Sequence, residues 1–351
     1  MHDGTVKIRA GGVLNRSIFN HIISVKNLFS AWKEFKKGKL KKQDIARFSV
    51  ELEEEVFRLN KELAGFVYSH GAYMHFVICD PKRREVYKAL PRDRLLHHAI
   101  YRVLWPLFDK GFIYESFSSR VDKGMHKAHK CLKRYAWKLS GNDTREVWTL
   151  KCDIRKFFDS VDHSILLNIL SKKLDENTMW LVRQIISSFS KSSGKGLPIG
   201  NLTSQLFSNI YLNEFDQFVK RKLRVKYYIR YADDFILISN NKNYLITLVP
   251  ILSEFLKQRL ALIMHPDKII IRKWNQGVDF LGHVIFPHYE ILRTKTRKRI
   301  LNKVYKRNKE LISGKISSIS LSQSLQSYFG MLKHCRGHKL KRMIRKIVGN
   351  R

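Results

Sequence analysis

Three aspartates are spaced so that they could work on one reacting centre. Asp233 and Asp234 stand side by side in YYIRYADDFILIS (227–239), between two runs of β-branched and aromatic residues. Asp153 lies near the end of a third strand-like run, EVWTLKCDI (146–154). If KYYIRY and FILIS pair as a hairpin, the ADD tip projects its side chains together. A neighbouring strand ending at Asp153 then brings a third carboxylate to the same rim. Such a cluster repels itself unless a cation holds it. Hard divalent ions take carboxylate, phosphate and water oxygens, and two of them about 3.5–4 Å apart can hold the attacking and leaving oxygens of a phosphoryl transfer. Taken singly, each aspartate has an ordinary structural reading, because Asp favours turns and strand ends. Asp159 and Asp162 read that way, Asp162 as the N-cap of the helix that follows.

The elements that must position these residues follow from the periodicity of the chain. Trp148, Leu150, Cys152 and Ile154 alternate with Val147, Thr149, Lys151 and Asp153, as in a strand buried on both faces. HSILLNILSKKL follows as a helix, and GKGLPIGN as a Gly/Pro-rich turn. Leu202, Leu206, Ile210 and Phe215 then mark a long amphipathic helix. A further helix is expected over about 243–260, and VDFLGHVIF returns to strand. Upstream, residues 17–65 read as helices interrupted by the basic KKGKLKK (36–42). MHFVI and EVYKAL read as two short strands joined at a turn marked by Pro81. LLHHAIYRVLWPLF reads as a helix. Residues 293–351 read as helical and basic. The expected class is α+β.

The partner is suggested by charge. Across 351 residues there are 67 Lys and Arg against 30 Asp and Glu, a formal charge of +37, spread along the whole chain. A globule so charged repels itself unless a polyanion neutralises it, and nucleic acid is the first candidate. With 44% hydrophobic residues the chain is not of the disordered class. No apolar run is long enough to span a bilayer, and MHDGTVKIRAGG carries no secretory pattern, so a cytoplasmic protein without a membrane partner is expected. The four cysteines are widely spaced and form no CxxC. His334-Cys335-Arg336-Gly337-His338 resembles half a zinc site but lacks a second pair.

Read in order, the motifs resemble those of a reverse transcriptase. LKCDIRKFFDSVDH resembles the first catalytic-aspartate motif, and GLPIGNLTSQLFSNIYLNEFD the substrate-positioning motif after it. YADD stands at the YxDD box. HPDKIII and VDFLGHVI resemble the two later palm motifs, and PRDRLLHHAI and FSSRVDKGMHKA the fingers motifs. Many relatives have Gln-Gly and Ser-Pro where this chain has Ile199-Gly200 and Ser204-Gln205. IGNLTSQ is similar to reverse transcriptases of diversity-generating retroelements, as is the tail SLQSYFGMLKH. Retron, group II intron-like and phage-defence enzymes share the palm, and a palm that binds nucleic acid without catalysis is the alternative of another class.

The resemblance implies a right-hand polymerase fold: an N-terminal helical region (1–72), fingers (73–145), a palm of antiparallel sheet and helices (146–290) and a helical thumb (291–351). It implies an RNA-directed DNA polymerase using two Mg²⁺ ions, with Mn²⁺ as a substitute. Asp153, Asp233 and Asp234 would be the catalytic carboxylates and metal ligands, with the Ile154 carbonyl beside them. Lys268 would give a proton to the leaving pyrophosphate. Arg84, Arg120 and Lys123 would meet the incoming triphosphate, and Phe158 would crowd the sugar 2′ position. Ile199 and Gly200 would line the nucleotide site, Ile199 loosening base selection. Gln205, Arg297, Arg299, Lys303 and Arg307 would contact template and primer. The implied partners are template RNA, primer or cDNA, deoxynucleoside triphosphates and a small basic helical accessory protein that oligomerises. The implied setting is a bacterial or phage-encoded system.

Overall fold

The computed structural model describes residues 17–80 and 82–349. The start of the chain, read above as lacking a targeting signal, and Pro81 lie outside those residues. Two compact units emerge, each built from separated stretches: Met1–Phe112 with Lys156–Leu212, and Ile113–Arg155 with Asn213–Arg351. They interleave along the chain, whereas the four-part division by motif is sequential.

In chain order the elements begin with α1 (Ile18–Ile23), α2 (Val25–Phe35), α3 (Gln43–Val50) and α4 (Leu52–Ala64). Then come β1 (Met74–Ile78), β2 (Arg84–Lys88), α5 (Pro91–Asp109), α6 (Met125–Ser140) and β3 (Trp148–Asp153). After β3 lie α7 (Phe157–Ser160), α8 (His163–Ser171), α9 (Glu176–Ser187) and α10 (Leu202–Gln217). β4 (Tyr228–Tyr231), β5 (Asp234–Ser239), α11 (Lys242–Leu260) and β6 (Ile270–Lys273) follow. The remainder is β7 (Val278–Phe280), β8 (His283–Ile285), β9 (Glu290–Leu292), α12 (Thr294–Ile312), α13 (Ser318–Leu332) and α14 (His338–Val348).

The first unit is mainly helical. Leu28, Ala31, Trp32 and Phe35 make one buried face of α2, which packs on α5. The Asn27 amide is buried there and donates to the carbonyls of Ile22 and Ala99. Pro91 starts α5 at a position where a missing N–H costs nothing. Asp162 caps α8, accepting from the Ser164 and Ile165 N–H groups, as expected from the sequence. A polar knot is buried between α4 and α5. In it the Tyr68 hydroxyl donates to Asp93 at 2.8 Å, and the Nε2 atoms of His70 and His97 lie 3.2 Å apart.

The second unit carries a four-stranded antiparallel sheet in the order β4-β5-β3-β6. Leu150 and Cys152 of β3 are buried, as are Phe235 to Ile238 of β5, so both faces of this sheet are covered. α6 and α11 pack against it. A three-stranded sheet, β7-β8-β9, adjoins. Here the structure corrects one expectation: VDFLGHVIF is a hairpin rather than a single strand. Leu281 and Gly282 take φ of +50° and +87° and turn the chain between β7 and β8. α12, α13 and α14 close around Ile300, Val304, Leu332, Leu340 and Ile344. Among the described residues no helix is long and apolar enough to cross a membrane.

Candidate active site

The three aspartates meet where β3 and β5 pair. The antiparallel register places Asp153 opposite Asp234, and Tyr231 opposite Asp234 on the other side. The hairpin is tighter than the three-residue tip read from the sequence. Asp234 already belongs to β5, and only Ala232 and Asp233 turn. Ala232 is left-handed, at φ +53°. The Ile154 N–H donates to the Asp233 carbonyl at 3.2 Å, which ties the turn to the end of β3. The His265 N–H donates to the Asp153 carbonyl at 2.8 Å. Strand ends and turn are thereby stitched by backbone bonds, and the side chains inherit fixed positions.

Two lysines answer the charge. Lys268 Nζ lies 2.6 Å from Asp153 Oδ1, and Lys151 Nζ lies 3.7 Å from Asp234 Oδ1. Asp233 has no such partner at this range among the ion pairs described. Burial raises its pKa to about 6, helped by the charges of Asp153 and Asp234. Burial also raises Asp234, against the pull of Lys151.

The donor set is all oxygen, at one strand end, with one carboxyl pushed up by burial and by the charges of its neighbours. That chemistry fits a hard divalent ion. Among the described residues no three His, Cys, Asp or Glu side chains enclose a common metal position. A Mg²⁺ ion here would have to take the rest of its shell from waters and substrate phosphates, as that ion commonly does. Ile154 is buried at the same strand end, paired with Met264.

Arg120 and Lys123 lie in the loop before α6. Arg120 Nη1 donates to the Ile113 and Ser116 carbonyls at 2.6 and 3.0 Å. Lys123 Nζ donates to the Tyr114 carbonyl at 2.9 Å and sits over the Tyr114 ring. Both therefore brace their own loop. On α12, Arg297 and Lys303 are exposed, while Arg299 and Arg307 are half-buried and Arg307 donates to Ser320 Oγ at 2.8 Å.

The other predicted residues belong to the first unit. A cavity of about 350 Å³ there is lined by Arg83, Arg84, Lys156 and Lys191 together with Tyr87 and Ile199. Glu85 and Asp159 share that lining and Lys191 pairs with Glu85, so the cavity keeps a basic excess of two charges, which suits an anionic ligand. Phe158 is half-buried beside Phe157, which is core. Gln205 is exposed near the start of α10. Gly200 has φ +119°, and a Cβ there would come within 2.9 Å of Val86 Cγ1, so the close approach it permits is to β2. Asn201 completes this docking through its side chain, donating to the Tyr87 carbonyl at 3.0 Å and accepting from the Ala89 N–H at 3.3 Å.

Sequence reasoning missed Arg230 and Asp216, a fully buried ion pair behind the turn. Asp216 sits in a helix with no local signal, and only the fold brings it to Arg230.

Comparison with known proteins gives the family and the fold. Residues 81–285, more than half the chain, match the family model for reverse transcriptase (RNA-dependent DNA polymerase). Protein YkfC of Escherichia coli is 26% identical over 231 residues, covering 55% of this chain and 60% of that protein. The group II intron-encoded protein LtrA of Lactococcus lactis is 24% identical over 285 residues, covering 60% of this chain and 46% of that protein. The chain thus spans about half the length of the curated relatives it matches. The structure of apo telomerase from Candida tropicalis superposes over 80% of this chain and 62% of that one, with a TM-score of 0.51 at 12% identity, a likeness of fold. The fold is the α+β right-hand polymerase class expected from the sequence, and the chain belongs to the reverse transcriptase family.

Proposed function

We propose that the protein is an RNA-directed DNA polymerase, extending a primer 3′-hydroxyl with deoxynucleotides along an RNA template. The observation that carries this is the register of β3 against β5, which sets Asp153 opposite Asp234 with Asp233 beside it. Asp153 and Asp233 would hold two divalent ions, with Asp234 and the Ile154 carbonyl in support. When bound, the ions supply charge stabilisation for the attacking and leaving oxygens. The chain's own residues do the rest. The paired strands fix the carboxylates, and Lys268 stands at Asp153 as the proton donor to pyrophosphate. Arg84 would offer a fork for phosphate from the basic cavity of the first unit, and the resemblance gives Arg120 and Lys123 of the second unit the role of meeting the triphosphate. Phe158 excludes the 2′-hydroxyl, and the cations of α12 hold the backbone of template and primer. Template RNA and deoxynucleoside triphosphates are then the substrates.

Within the family we infer a diversity-generating retroelement enzyme that makes mutagenic cDNA with a small basic accessory protein. IGNLTSQ, with Ile199 in place of glutamine, supports this reading. The likeness to LtrA supports a group II intron-like enzyme as the second reading.

The test is primer extension by the purified chain on RNA with Mg²⁺ and four deoxynucleotides, beside Asp233→Asn. Extension by wild type and none by the variant is expected. Silence from both, with the cognate RNA and neighbouring basic protein present, refutes the polymerase. Sequenced products separate the two subfamilies: errors concentrated at template adenines, reduced by Ile199→Gln, mark the retroelement enzyme.

A further inference from the structure

Among the described residues Arg230 is the largest side chain completely removed from solvent. Its Nε and Nη2 donate to the two oxygens of Asp216 at 2.7 and 2.6 Å. Nη2 also donates to Ser116 Oγ at 3.0 Å, and the Tyr228 hydroxyl donates to Asp216 Oδ1 at 2.8 Å. The remaining arm, Nη1, donates to the carbonyl of Ala232 at 3.1 Å. Ala232 is the left-handed residue of the turn, and its carbonyl belongs to the peptide that leads into Asp233.

A buried ion pair is a poor way to gain stability, since apolar residues of the same volume often serve as well or better. It is a good way to hold a direction. The guanidinium is planar, and its bidentate seat on Asp216 fixes the plane. With that plane fixed, Nη1 is held toward the turn, where it meets the Ala232 carbonyl. A non-glycine residue at φ +53° also needs its surroundings to keep it there. The backbone on the other side adds to the hold: Arg230 N–H donates to the Glu115 carbonyl at 3.0 Å, and Phe117 N–H to the Arg230 carbonyl at 2.9 Å.

We propose that Arg230, seated on Asp216, is a positioning residue that clamps the Ala232 carbonyl and thereby sets the Asp233 carboxylate for divalent-ion binding. The clamp rests on the polymerase reading for its purpose, but it makes a claim about metal binding that stands apart from turnover. A lysine keeps the charge and loses the fork, so Arg230→Lys removes the aim of Nη1. Tyr228→Phe is the milder change, loosening Asp216 by one hydrogen bond.

The experiment is Mn²⁺ binding to the full chain, read by electron paramagnetic resonance, with primer extension on the same samples and near-ultraviolet circular dichroism as the check of folding. Arg230→Lys is expected to weaken Mn²⁺ binding about tenfold or more. It is expected to lower kcat alongside, with the KM for deoxynucleotides little changed. Tyr228→Phe is expected to weaken Mn²⁺ binding about threefold. A role in stability alone would lower the melting temperature and leave Mn²⁺ affinity of the folded fraction alone. A folded Arg230→Lys chain that binds Mn²⁺ within about twofold of wild type overturns the clamp. Should Arg230→Lys not fold, Tyr228→Phe decides, and wild-type affinity there overturns it. Weakened Mn²⁺ binding in the variants with no polymerisation by wild type keeps the clamp and sinks the polymerase reading. Full polymerisation and Mn²⁺ binding by the variants does the reverse.

Discussion

Acid should loosen the first unit through His97. This histidine is 1% exposed on α5. Its Nε2 faces His70 Nε2 at 3.2 Å, and the 2.6 Å contact between His70 Nδ1 and the Gly71 carbonyl assigns the His70 proton to Nδ1. His97 therefore donates from Nε2, and its Nδ1 has no hydrogen-bond partner. A second proton would go to that buried, unpartnered atom. Burial holds the His97 pKa well below the ordinary value, and the charges of His70, His98 and Arg94 push the same way. A histidine depressed on folding binds fewer protons in the native state than in the unfolded one. Its contribution is therefore intact above the unfolded value of about 6.5 and is lost as pH falls below it. The slope for one histidine is at most about 1.4 kcal/mol per pH unit, so the loss by pH 5 is at most about 2 kcal/mol, or up to roughly 30-fold in an opening equilibrium. His98, lowered to about 4 by burial and by Lys39 and Arg94, adds to the same trend. His97→Gln isolates the first effect, because the amide can still donate to His70 and does not titrate. Hydrogen exchange of α5 amides at pH 7.5 and pH 5, corrected for intrinsic rates, measures it. Wild type should lose more protection than the variant on going to pH 5, by up to about 30-fold. Equal losses in the two chains would show that His97 is not held neutral, and the reasoning would fail.

Three further outcomes are expected. Gly200→Ala forces a Cβ to within 2.9 Å of Val86 at φ +119°, and should cost about 1–3 kcal/mol in urea denaturation; an unchanged midpoint would remove the docking role of that turn. Lys268→Met should lower the rate of pyrophosphate release about a hundredfold with template affinity unchanged, as loss of a proton donor requires; a wild-type rate would leave the lysine as a counter-charge to Asp153 alone. If Arg297, Arg299, Lys303 and Arg307 each neutralise a phosphate, raising salt fourfold should weaken binding of single-stranded template roughly 50-fold. A flat response in a fluorescence-anisotropy titration would count against α12 as the nucleic-acid surface.

The parts of the site that were legible in the sequence are those encoded locally. Alternation in EVWTLKCDI marked β3, and β-branched runs flanking ADD marked β4 and β5, so the meeting of three aspartates followed from pairing two short patterns. Asp162 announced itself as a cap by standing before an apolar helix. β6 was not read as a strand, because four residues between a helix and Trp274 carry too little periodicity. The β7–β8 hairpin was hidden because Leu281, not an Asn or Gly, takes the first left-handed position. The Arg230–Asp216 pair, the His70–His97 contact and the seat of Gly200 on Val86 are long-range or cross-element meetings. No window of sequence contains them, and each is set by which faces the helices bury.

The order of strands in the central sheet has a consequence for synthesis. β3 lies between β5 and β6, and both partners are made after it. Its first partner begins at Asp234 and its second at Ile270, whereas β3 itself ends at Asp153. At ribosomal speeds of about 5–20 residues per second, β3 spends roughly 4–16 s outside the ribosome before β5 is available. During that time WTLKCD presents an apolar strand with both edges open, the condition under which nascent chains pair with one another. Slower initiation or an abundant chaperone should therefore raise the yield of folded protein more than added stability in the finished sheet, because the hazard falls before the sheet exists.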